Sequence, residues 1–243
     1  MGIDVSAAKA VSVNVTHEEG VDTSLENNPT VSRFEGMFLL HVFRRNQRGR
    51  RRDDGNPLIY GIKGLNSYSI TVFWEQWLLR RAVAIIASAH PSLHDFNMCV
   101  PVPSSSAFCG KFAALVADQL GIPLLVPDFI GKRTIGGVMN DAIANPPKMR
   151  PGQKVEFNKQ LQVWQAAANP DATYQAKHIP TGIRTLFTSL EVTADAPDLT
   201  DDKILIVDDL FATGSSLLTM RALLSGLNAK DVGALCFLSG NNG

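Results

Sequence analysis

Lys203-Ile204-Leu205-Ile206-Val207-Asp208-Asp209-Leu210-Phe211-Ala212-Thr213-Gly214-Ser215-Ser216-Leu217 is the segment that decides the fold of this chain. Its apolar run does not alternate with polar residues, so it predicts a strand covered on both faces, in a parallel sheet flanked by helices. Asp208 and Asp209 follow at the carboxyl edge of that strand, where open α/β sheets bind their ligands. Because neighbouring strand residues point to opposite faces, we expect the two acids to have different roles.

The turn after the two acids is suited to a phosphate. Gly214 permits a tight turn, and the hydroxyls of Thr213, Ser215 and Ser216 lie beside the free N–H groups that begin the next helix. A sugar phosphate would satisfy both the acids and this turn. The simpler alternative is an ordinary strand, turn and helix in which Ser215 or Ser216 is the helix cap.

This segment resembles the phosphoribosyl pyrophosphate (PRPP) motif of the type I phosphoribosyltransferases, and Asp-Asp-Leu-Phe-Ala-Thr-Gly-Ser-Ser is especially similar to the version in the adenine enzymes. The resemblance implies that Asp208 and Asp209 are the catalytic acids, that they hold the ribose hydroxyls, and that they lie next to Mg²⁺ as possible ligands. The 5′-phosphate would lie in the loop at 212–216. The PRPP-binding residues that the resemblance implies are Leu210, Phe211, Ala212, Thr213, Gly214, Ser215 and Ser216.

The composition is that of a soluble enzyme. The 243 residues, 45% of them hydrophobic and 19% charged, are enough to bury one sizeable core. The 23 basic and 23 acidic residues balance, so net charge indicates no particular partner. Cys99, Cys109 and Cys236 are widely spaced in apolar contexts, which predicts reduced, buried thiols and a cytoplasmic protein. No apolar stretch is long enough for a membrane span, and no signal pattern begins the chain.

The chain divides into three predicted parts. Residues 1–30 are polar and predict a loosely held amino-terminal arm. Residues 31–96 form an accessory region, which by the resemblance would be the hood over the acceptor. Residues 97–243 form the PRPP-binding α/β core, with an insert at about 131–202 that is too long to be a structureless loop. By the resemblance, this insert folds over the site as a lid.

Three elements are predicted in the accessory region. Phe34 to Phe43 predicts a strand, and Asn56 to Lys63 predicts the strand that returns from it. Tyr68 to His90 has apolar residues at helical spacing, so it predicts an amphipathic helix. We expect its aromatic residues to pack in the core rather than to form a surface on which bases stack.

The core is predicted to hold four strands, at 97–102, 122–127, 203–208 and 232–238. The resemblance implies five parallel strands, so a fifth must come from another segment or be absent. Helices are predicted over Phe108 to Leu120, over Ser215 to Leu227 and, within the insert, over Lys154 to Ala168. The Val-Pro-Val-Pro-Ser run that ends the first core strand is loosely similar to that of ComF-like phosphoribosyltransferases.

The loop after the first core strand departs from the family pattern. Ser104, Ser105 and Ser106 occupy the place where family members grip pyrophosphate, but hydroxyls carry no charge to balance it. The cation must then come from elsewhere, and for each lone candidate the alternative is a solvated surface charge. The main candidates are Lys111, Lys132 and Arg133, and the weaker ones are Lys177 and Arg184.

The implied function is a phosphoribosyltransferase, a glycosyltransferase of nucleotide metabolism. It would use PRPP and Mg²⁺ to transfer phosphoribosyl to a nitrogenous base or related acceptor, and the family implies a homodimer. The alternative is a weak or inactive protein of this fold, acting as a PRPP-sensing, nucleic-acid-associated regulator or as an effector subunit of a larger complex. Arg44 to Arg52, with six arginines in nine residues, motivates this alternative as a contact for nucleic acid or a protein complex. A solvated hairpin tip next to Asp53 and Asp54 is the simpler interpretation.

Overall fold

A computed structural model of the chain describes residues 1–46, 56–104, 106–167, 169–193 and 195–239. The strands are β1 (Gly2–Val5), β2 (Ala10–Asn14), β3 (Gly20–Asp22), β4 (Thr30–Phe34), β5 (Met37–Asn46), β6 (Ser69–Ile70), β7 (Met98–Pro101), β8 (Ile130–Lys132), β9 (Leu190–Val192), β10 (Lys203–Leu210) and β11 (Asp231–Leu238). The α-helices are α1 (Pro57–Lys63), α2 (Val72–Leu93), α3 (Ala107–Leu120), α4 (Ile135–Ala144), α5 (Pro151–Gln165) and α6 (Ser215–Gly226). Short 3₁₀ helices span Ala176–His178 and Thr181–Leu186.

The centre of the fold is a mixed sheet whose main strands are parallel. Its order is β3-β5-β11-β10-β7, with β10 parallel to both β11 and β7 and β11 parallel to β5. The carboxyl ends of these strands therefore meet at one edge of the sheet. This α/β architecture, a parallel sheet flanked by helices, confirms the predicted fold class.

Two apolar layers cover the sheet, as the uninterrupted apolar run of β10 predicts. Leu205 and Val207 pack on one face in a cluster with α2 and α3. Ile204 and Ile206 pack on the other face in a cluster with α6. The three cysteines are free and buried, as predicted.

The accessory region supplies one parallel strand to the main sheet, so the full parallel strands in the described residues are four: β5, β11, β10 and β7. β5 lies parallel to β11 inside the main sheet, with Leu39 opposite Ala234 and Phe43 opposite Leu238. The sheet therefore extends into residues 31–96. The predicted strand at 34–43 is in fact a hairpin, because the chain reverses at Glu35 and Gly36, both at positive φ, between β4 and β5.

Two predicted strands are wrong. The segment at 122–127 contributes a single parallel bridge, between Leu124 and Cys99. It therefore does not form a full strand at this edge of the sheet. The segment from Asn56 to Lys63 is the helix α1. Asn56 caps it by accepting a hydrogen bond from the Leu58 N–H, and Gly64 ends it at φ 62°.

The amino-terminal residues are folded onto the rest of the chain. We expected a loosely held arm at 1–30, but β1 pairs with β2, and β3 pairs with β5. Asp22 is fully buried at the end of β3 and accepts hydrogen bonds from the Ser24 N–H and the Asn27 amide. These bonds lower the pKa of Asp22, although its burial acts in the opposite direction.

The insert has a hydrophobic core of its own, separate from the two layers on the sheet. Its entry and exit strands, β8 and β9, pair antiparallel, with Lys132 opposite Leu190. Between them, α4, α5 and the two 3₁₀ helices enclose a buried cluster. Its members are Val138, Ala142, Phe157, Trp164, Tyr174, Ile179, Ile183 and Phe187.

The remaining predicted helices are confirmed with small shifts of their ends. α3 begins after Ser106, whose hydroxyl accepts the Phe108 N–H, and ends at Gly121 at φ 65°. In α2, Trp74 and Trp77 pack against the core, as expected, whereas Phe73 is 60% exposed. No helix in the described part of the chain has the length and apolarity needed to cross a membrane.

Candidate active site

Asp208 and Asp209 lie at the carboxyl end of β10 and face opposite sides of the sheet. Asp208 alternates with Ile204 and Ile206, so it faces the α6 side, and Asp209 faces the side of α1 and α2. The Asp209 N–H donates to Asp208 Oδ1 at 2.8 Å, which fixes the first carboxylate against the backbone. The two acids thus have different surroundings.

Asp209 is buried and paired with a lysine from the accessory region. Only 3% of Asp209 is exposed, and Lys63 Nζ lies 2.6 Å from its Oδ2. The two groups form an ion pair. Oδ2 has no hydrogen-bond partner within the described residues, so the ammonium is not aligned with it as a hydrogen-bond donor. Lys63 is the last residue of α1, where the partial negative charge of the helix end also favours an ammonium.

Asp208 is half-buried and pairs with no cation of the described residues. Burial raises the pKa of Asp208 well above its ordinary value, and the neighbouring Asp209 carboxylate adds to the effect. A group of this kind gains from a cationic ligand, because a nearby positive charge restores its ionised form.

The turn after β10 is held in shape by aromatic rings. Gly214 is the N-cap of α6 at φ 74°, so neither Ser215 nor Ser216 caps the helix. A Cβ on Gly214 would meet the ring of Phe34, which packs edge-on against Phe211 with 5.0 Å between ring centroids. The first N–H groups of α6 remain directed into the turn, as a phosphate site requires.

A small cavity of about 160 Å³ lies over this turn. Its far wall includes Ala176 and Arg184 from the insert. The Arg184 Nε donates to the Ile179 carbonyl at 2.7 Å, which orients the guanidinium. From the core, the cavity is lined by Asp208, Leu210, Phe211, Ala212, Thr213, Gly214, Ser215, Ser216 and Leu217. The structure therefore brings all the predicted PRPP-loop residues to one cavity and adds an arginine to it.

A larger cleft of about 720 Å³ adjoins the small cavity. Ala176, Asp208, Leu210 and Ser216 line both. The lining comes from the insert, through Tyr174 and its neighbours, from the core and from α1. The full lining is Lys63, Val102, Pro103, Ser104, Lys132, Thr173, Tyr174, Gln175, Ala176, Ser189, Leu190, Asp208, Asp209, Leu210 and Ser216.

Two residues of the cleft lining have buried hydroxyls that are not satisfied. Tyr174 Oη and Ser189 Oγ have no hydrogen-bond partner in the described part of the protein. Burial raises the pKa of Tyr174 to about 12, so its hydroxyl keeps its proton. Buried polar groups without partners are costly, and they are the groups that a bound ligand satisfies.

The serine loop is engaged in local structure. Ser104 lines the cleft, but its Oγ accepts the Ser106 N–H at 3.2 Å. Ser106 Oγ accepts the Phe108 N–H as the cap of α3. Ser105 lies outside the described residues.

The predicted pyrophosphate cations go to different places. Lys132 lines the cleft. Lys111 is 63% exposed beside Glu75 on α2, at 3.5 Å, and does not line the cleft. Arg133 holds the insert together through Asp141 at 3.0 Å and Glu191 at 3.5 Å.

The other basic candidates are only partly described. The side chain of Lys177 lies outside the described residues, as do Arg48, Arg50, Arg51 and Arg52 of the arginine cluster. Arg44 lies 3.5 Å from Asp22, and the Arg45 N–H donates to Ser239 Oγ. These two arginines therefore take part in the fold at the end of β5.

The two acids fit Mg²⁺ only as part of a site that a substrate completes. Carboxylate oxygens are the ligands that Mg²⁺ prefers, but the described residues contain no group of three or more His, Cys, Asp or Glu side chains that would hold a metal. One oxygen of Asp209 already faces the Lys63 ammonium. Asp208 is accordingly the better ligand of the two.

Lys63 is the residue of the site that sequence reasoning missed. The apolar run Pro57-Leu58-Ile59-Tyr60 suggested a strand, which hid the lysine at its end. A helix signal was present, because Asn before Pro and Gly after Lys are typical of a helix start and stop.

Arg184 was anticipated as a pyrophosphate cation, and the structure places it instead over the turn after β10.

Comparison with known proteins agrees with this geometry. Residues 152–243 match the model of the phosphoribosyl transferase domain family. No curated protein matches the sequence significantly.

Solved structures similar to the chain are phosphoribosyltransferases of low identity. The purine phosphoribosyltransferase of Pyrococcus horikoshii is 16% identical, with 69% of this chain and 85% of that chain covered and a TM-score of 0.39. The adenine phosphoribosyltransferase of Leishmania tarentolae is 10% identical, with 98% and 94% covered and a TM-score of 0.39. The hypoxanthine phosphoribosyltransferase of Staphylococcus aureus is 12% identical, with 66% and 64% covered and a TM-score of 0.36.

The domain match covers β10, its loop and α6, which are the elements that form the small cavity and the acids beside it. Residues 152–243 are therefore similar to the phosphoribosyl transferase domain family over the elements that form the site.

Proposed function

We propose that the chain transfers the phosphoribosyl group of PRPP to a nitrogen of a base and releases pyrophosphate. The observation that carries the proposal is the pair of adjoining cavities, about 160 and 720 Å³, that share Ala176, Asp208, Leu210 and Ser216. A ligand with a small anionic end in the turn and a hydroxyl-bearing ring beside the acids would lie across both. PRPP has this shape.

Each part of PRPP then has a place. The 5′-phosphate lies in the small cavity, where the N–H groups of α6, the hydroxyls of the turn and the charge of Arg184 meet it. The ribose hydroxyls lie on Asp208 and Asp209. The pyrophosphate and the acceptor share the larger cleft, whose volume is in the range of small-molecule sites.

The reaction is a displacement at C1 of the ribose. The lone pair of the acceptor nitrogen forms the new N–C1 bond, the C1–O bonding pair leaves with pyrophosphate, and the proton of the acceptor passes to solvent. Bond breaking that runs ahead of bond making gives the ribose ring a positive charge, as in glycoside cleavage. The two carboxylates orient the ring and favour that charge.

The insert and the metal complete the proposed site. Tyr174 and Ser189 wall the cleft, so the insert excludes water from C1. Bound Mg²⁺ supplies charge neutralisation for the pyrophosphate, and we assign Asp208 to face it.

The acceptor is a base with a polar edge. The hydroxyls of Tyr174 and Ser189 are the unsatisfied groups of the cleft lining, and a nitrogenous base offers ring nitrogens and exocyclic groups to them. The homodimer and the cytoplasmic location stay predictions from the family resemblance.

The direct test is to incubate the protein with PRPP, Mg²⁺ and a panel of purine and pyrimidine bases while measuring pyrophosphate. We expect release that depends on one base or a narrow class of bases. Absence of release with every base, together with salt-dependent retention on nucleic acid, would contradict the proposal and favour the regulator.

Asp209→Asn tests the residue assignment. We expect turnover to fall about 1000-fold, because the amide cannot stabilise positive charge on the ribose. The fold should survive, since the substitution keeps the shape of the side chain and Lys63 is 22% exposed and can turn to solvent. Asp201→Asn, in the exposed turn before the same strand, is the matched control and should leave turnover unchanged. Wild-type turnover in Asp209→Asn would refute the assignment.

A further inference from the structure

The cleft lacks a cation in the serine loop, where the leaving group would lie. Ser104 and Ser106 are uncharged, and their hydroxyls accept backbone N–H groups of their own loop. Of the described residues that line the cleft, Lys63 and Lys132 are the basic ones. A departing pyrophosphate needs positive charge beyond what hydroxyls provide.

Lys63 is placed to supply that charge. Lys63 lines the same cleft as Ser104, and its ammonium lies 2.6 Å from Asp209. α1 fixes the backbone, because Leu58 and Ile59 are buried in the core and Gly64 ends the helix directly after the lysine. The long side chain, in contrast, is flexible beyond Cβ and is 22% exposed.

The ion pair with Asp209 conflicts with substrate binding. Oδ2 of Asp209 is buried, and the ammonium of Lys63 covers it. A ribose hydroxyl that binds this carboxylate must share or take the position of the ammonium. The lysine then needs another anion nearby, because an unpaired charge in a partly buried site is costly.

We propose that Lys63 is an exchange cation: it neutralises Asp209 in the empty site and moves to the pyrophosphate group when the ribose hydroxyls take its place. This inference rests on the proposed function for the identity of the ligand. It assigns to the accessory region a role in binding the leaving group. The reverse movement restores the Lys63–Asp209 pair once pyrophosphate and the ribose of the nucleotide product have both left, so product release regenerates the empty site.

The test measures the binding of the two anionic parts of the substrate, pyrophosphate and ribose 5-phosphate, as separate ligands. Calorimetry at fixed Mg²⁺ measures the affinity for ribose 5-phosphate alone, and the affinity for pyrophosphate with ribose 5-phosphate at saturation, for the wild type, Lys63→Gln, Lys63→Arg and Lys111→Gln. Glutamine can still donate a hydrogen bond to Asp209 without the charge, so the fold is retained. Lys111 is the matched control, because it is a lysine that lies outside the cleft beside Glu75.

We expect Lys63→Gln to bind pyrophosphate about tenfold or more weakly, with ribose 5-phosphate affinity within about threefold of wild type. Lys63→Arg should retain pyrophosphate binding, and Lys111→Gln should match the wild type for both ligands. Unchanged pyrophosphate affinity in Lys63→Gln, or no pyrophosphate binding by the wild type, would overturn the inference. An equal loss of both ligands would also overturn it, since Lys63 would then only hold Asp209.

These outcomes are independent of whether transfer occurs. If no base gives turnover but Lys63→Gln selectively loses pyrophosphate, the proposed enzyme fails and the assignment of Lys63 stands. If transfer occurs and Lys63→Gln has wild-type pyrophosphate affinity, the enzyme stands and the assignment fails.

Discussion

The two walls of the site are built in opposite ways. One wall is the continuous segment from Asp208 to Ser216, in which each residue is placed by the strand, turn and helix of its own neighbourhood. The facing wall takes its cations from separate elements, and among the described residues these are Lys63 from α1, Lys132 from β8 and Arg184 from a 3₁₀ helix of the insert. Local sequence specifies the first wall, and tertiary packing assembles the second.

The largest effect is expected from a substitution in the continuous wall, at Gly214. In Gly214→Ala, the φ of 74° costs about 1–2 kcal/mol for an L-residue, and the new Cβ would meet the Phe34 ring. We expect at least about 100-fold weaker PRPP binding, because the helix N–H groups lose their alignment. Binding is measured by calorimetry and stability by denaturant titration.

Gly226→Ala is the control for Gly214→Ala. Gly226 ends the same helix, and nothing lies within 4 Å of where its Cβ would be. This variant should bind PRPP as the wild type does. If the two alanine variants bind equally well, the continuous wall does not depend on its turn geometry.

The assembled wall is tested next, through Arg184→Gln. A charge-assisted contact to phosphate contributes about 1.5–3 kcal/mol, so PRPP affinity should fall about 10–100-fold. The KM for PRPP should rise while kcat changes little, because the 5′-phosphate is remote from C1. Affinity for ribose 5-phosphate should fall in parallel, which separates this effect from that of Lys63.

Lys159→Gln removes a charge from an exposed position of α5 in the same insert and should change neither constant. A kcat loss without a KM change in Arg184→Gln would mean that the arginine acts elsewhere than on the phosphate.

A separate effect, on stability instead of binding, concerns the support of the turn from the sheet, where His41 lies 5.4 Å from the Phe211 ring between centroids. Burial lowers the pKa of His41 from 6.5 to about 4. Between these values the unfolded chain binds more protons than the native protein, so the free energy of unfolding should fall as the pH drops from about 6.5 to about 4. The contribution of this histidine is about 3 kcal/mol over that window.

Urea titrations across this range, on the wild type and His41→Leu, would measure the histidine contribution as a difference in slope. His94→Gln, at an exposed position after α2, should keep the wild-type slope. Equal slopes for the wild type and His41→Leu would contradict the prediction.

The same contrast explains what sequence reasoning predicted. The α/β class, the strand β10, its acids and its phosphate turn all depend on short-range patterns, and each was predicted. The position of Lys63 depends on how α1 packs against the sheet, and the place of Arg184 depends on the separate core of the insert. Neither follows from spacing along the chain.

The two wrongly predicted strands, at Asn56 to Lys63 and at 122–127, have a related cause. A short apolar run fits a buried strand or a short helix equally well, and at Asn56 to Lys63 the cap residues decided for the helix. At 122–127 the apolar run does lie at the sheet edge, but it pairs at only one position. Pairing is a property of the neighbouring strand, so composition alone does not specify it.

The antiparallel pair of β8 and β9 has a consequence for evolution. Lys132 and Leu190 lie opposite each other, so residues 133–189 are connected to the core through this two-stranded antiparallel ribbon. Trp164 and Phe187, with their neighbours, form a nucleus independent of the sheet. Mutations there can reshape the insert without disturbing the sheet that positions Asp208 and the turn after β10, so the insert can vary separately from the core.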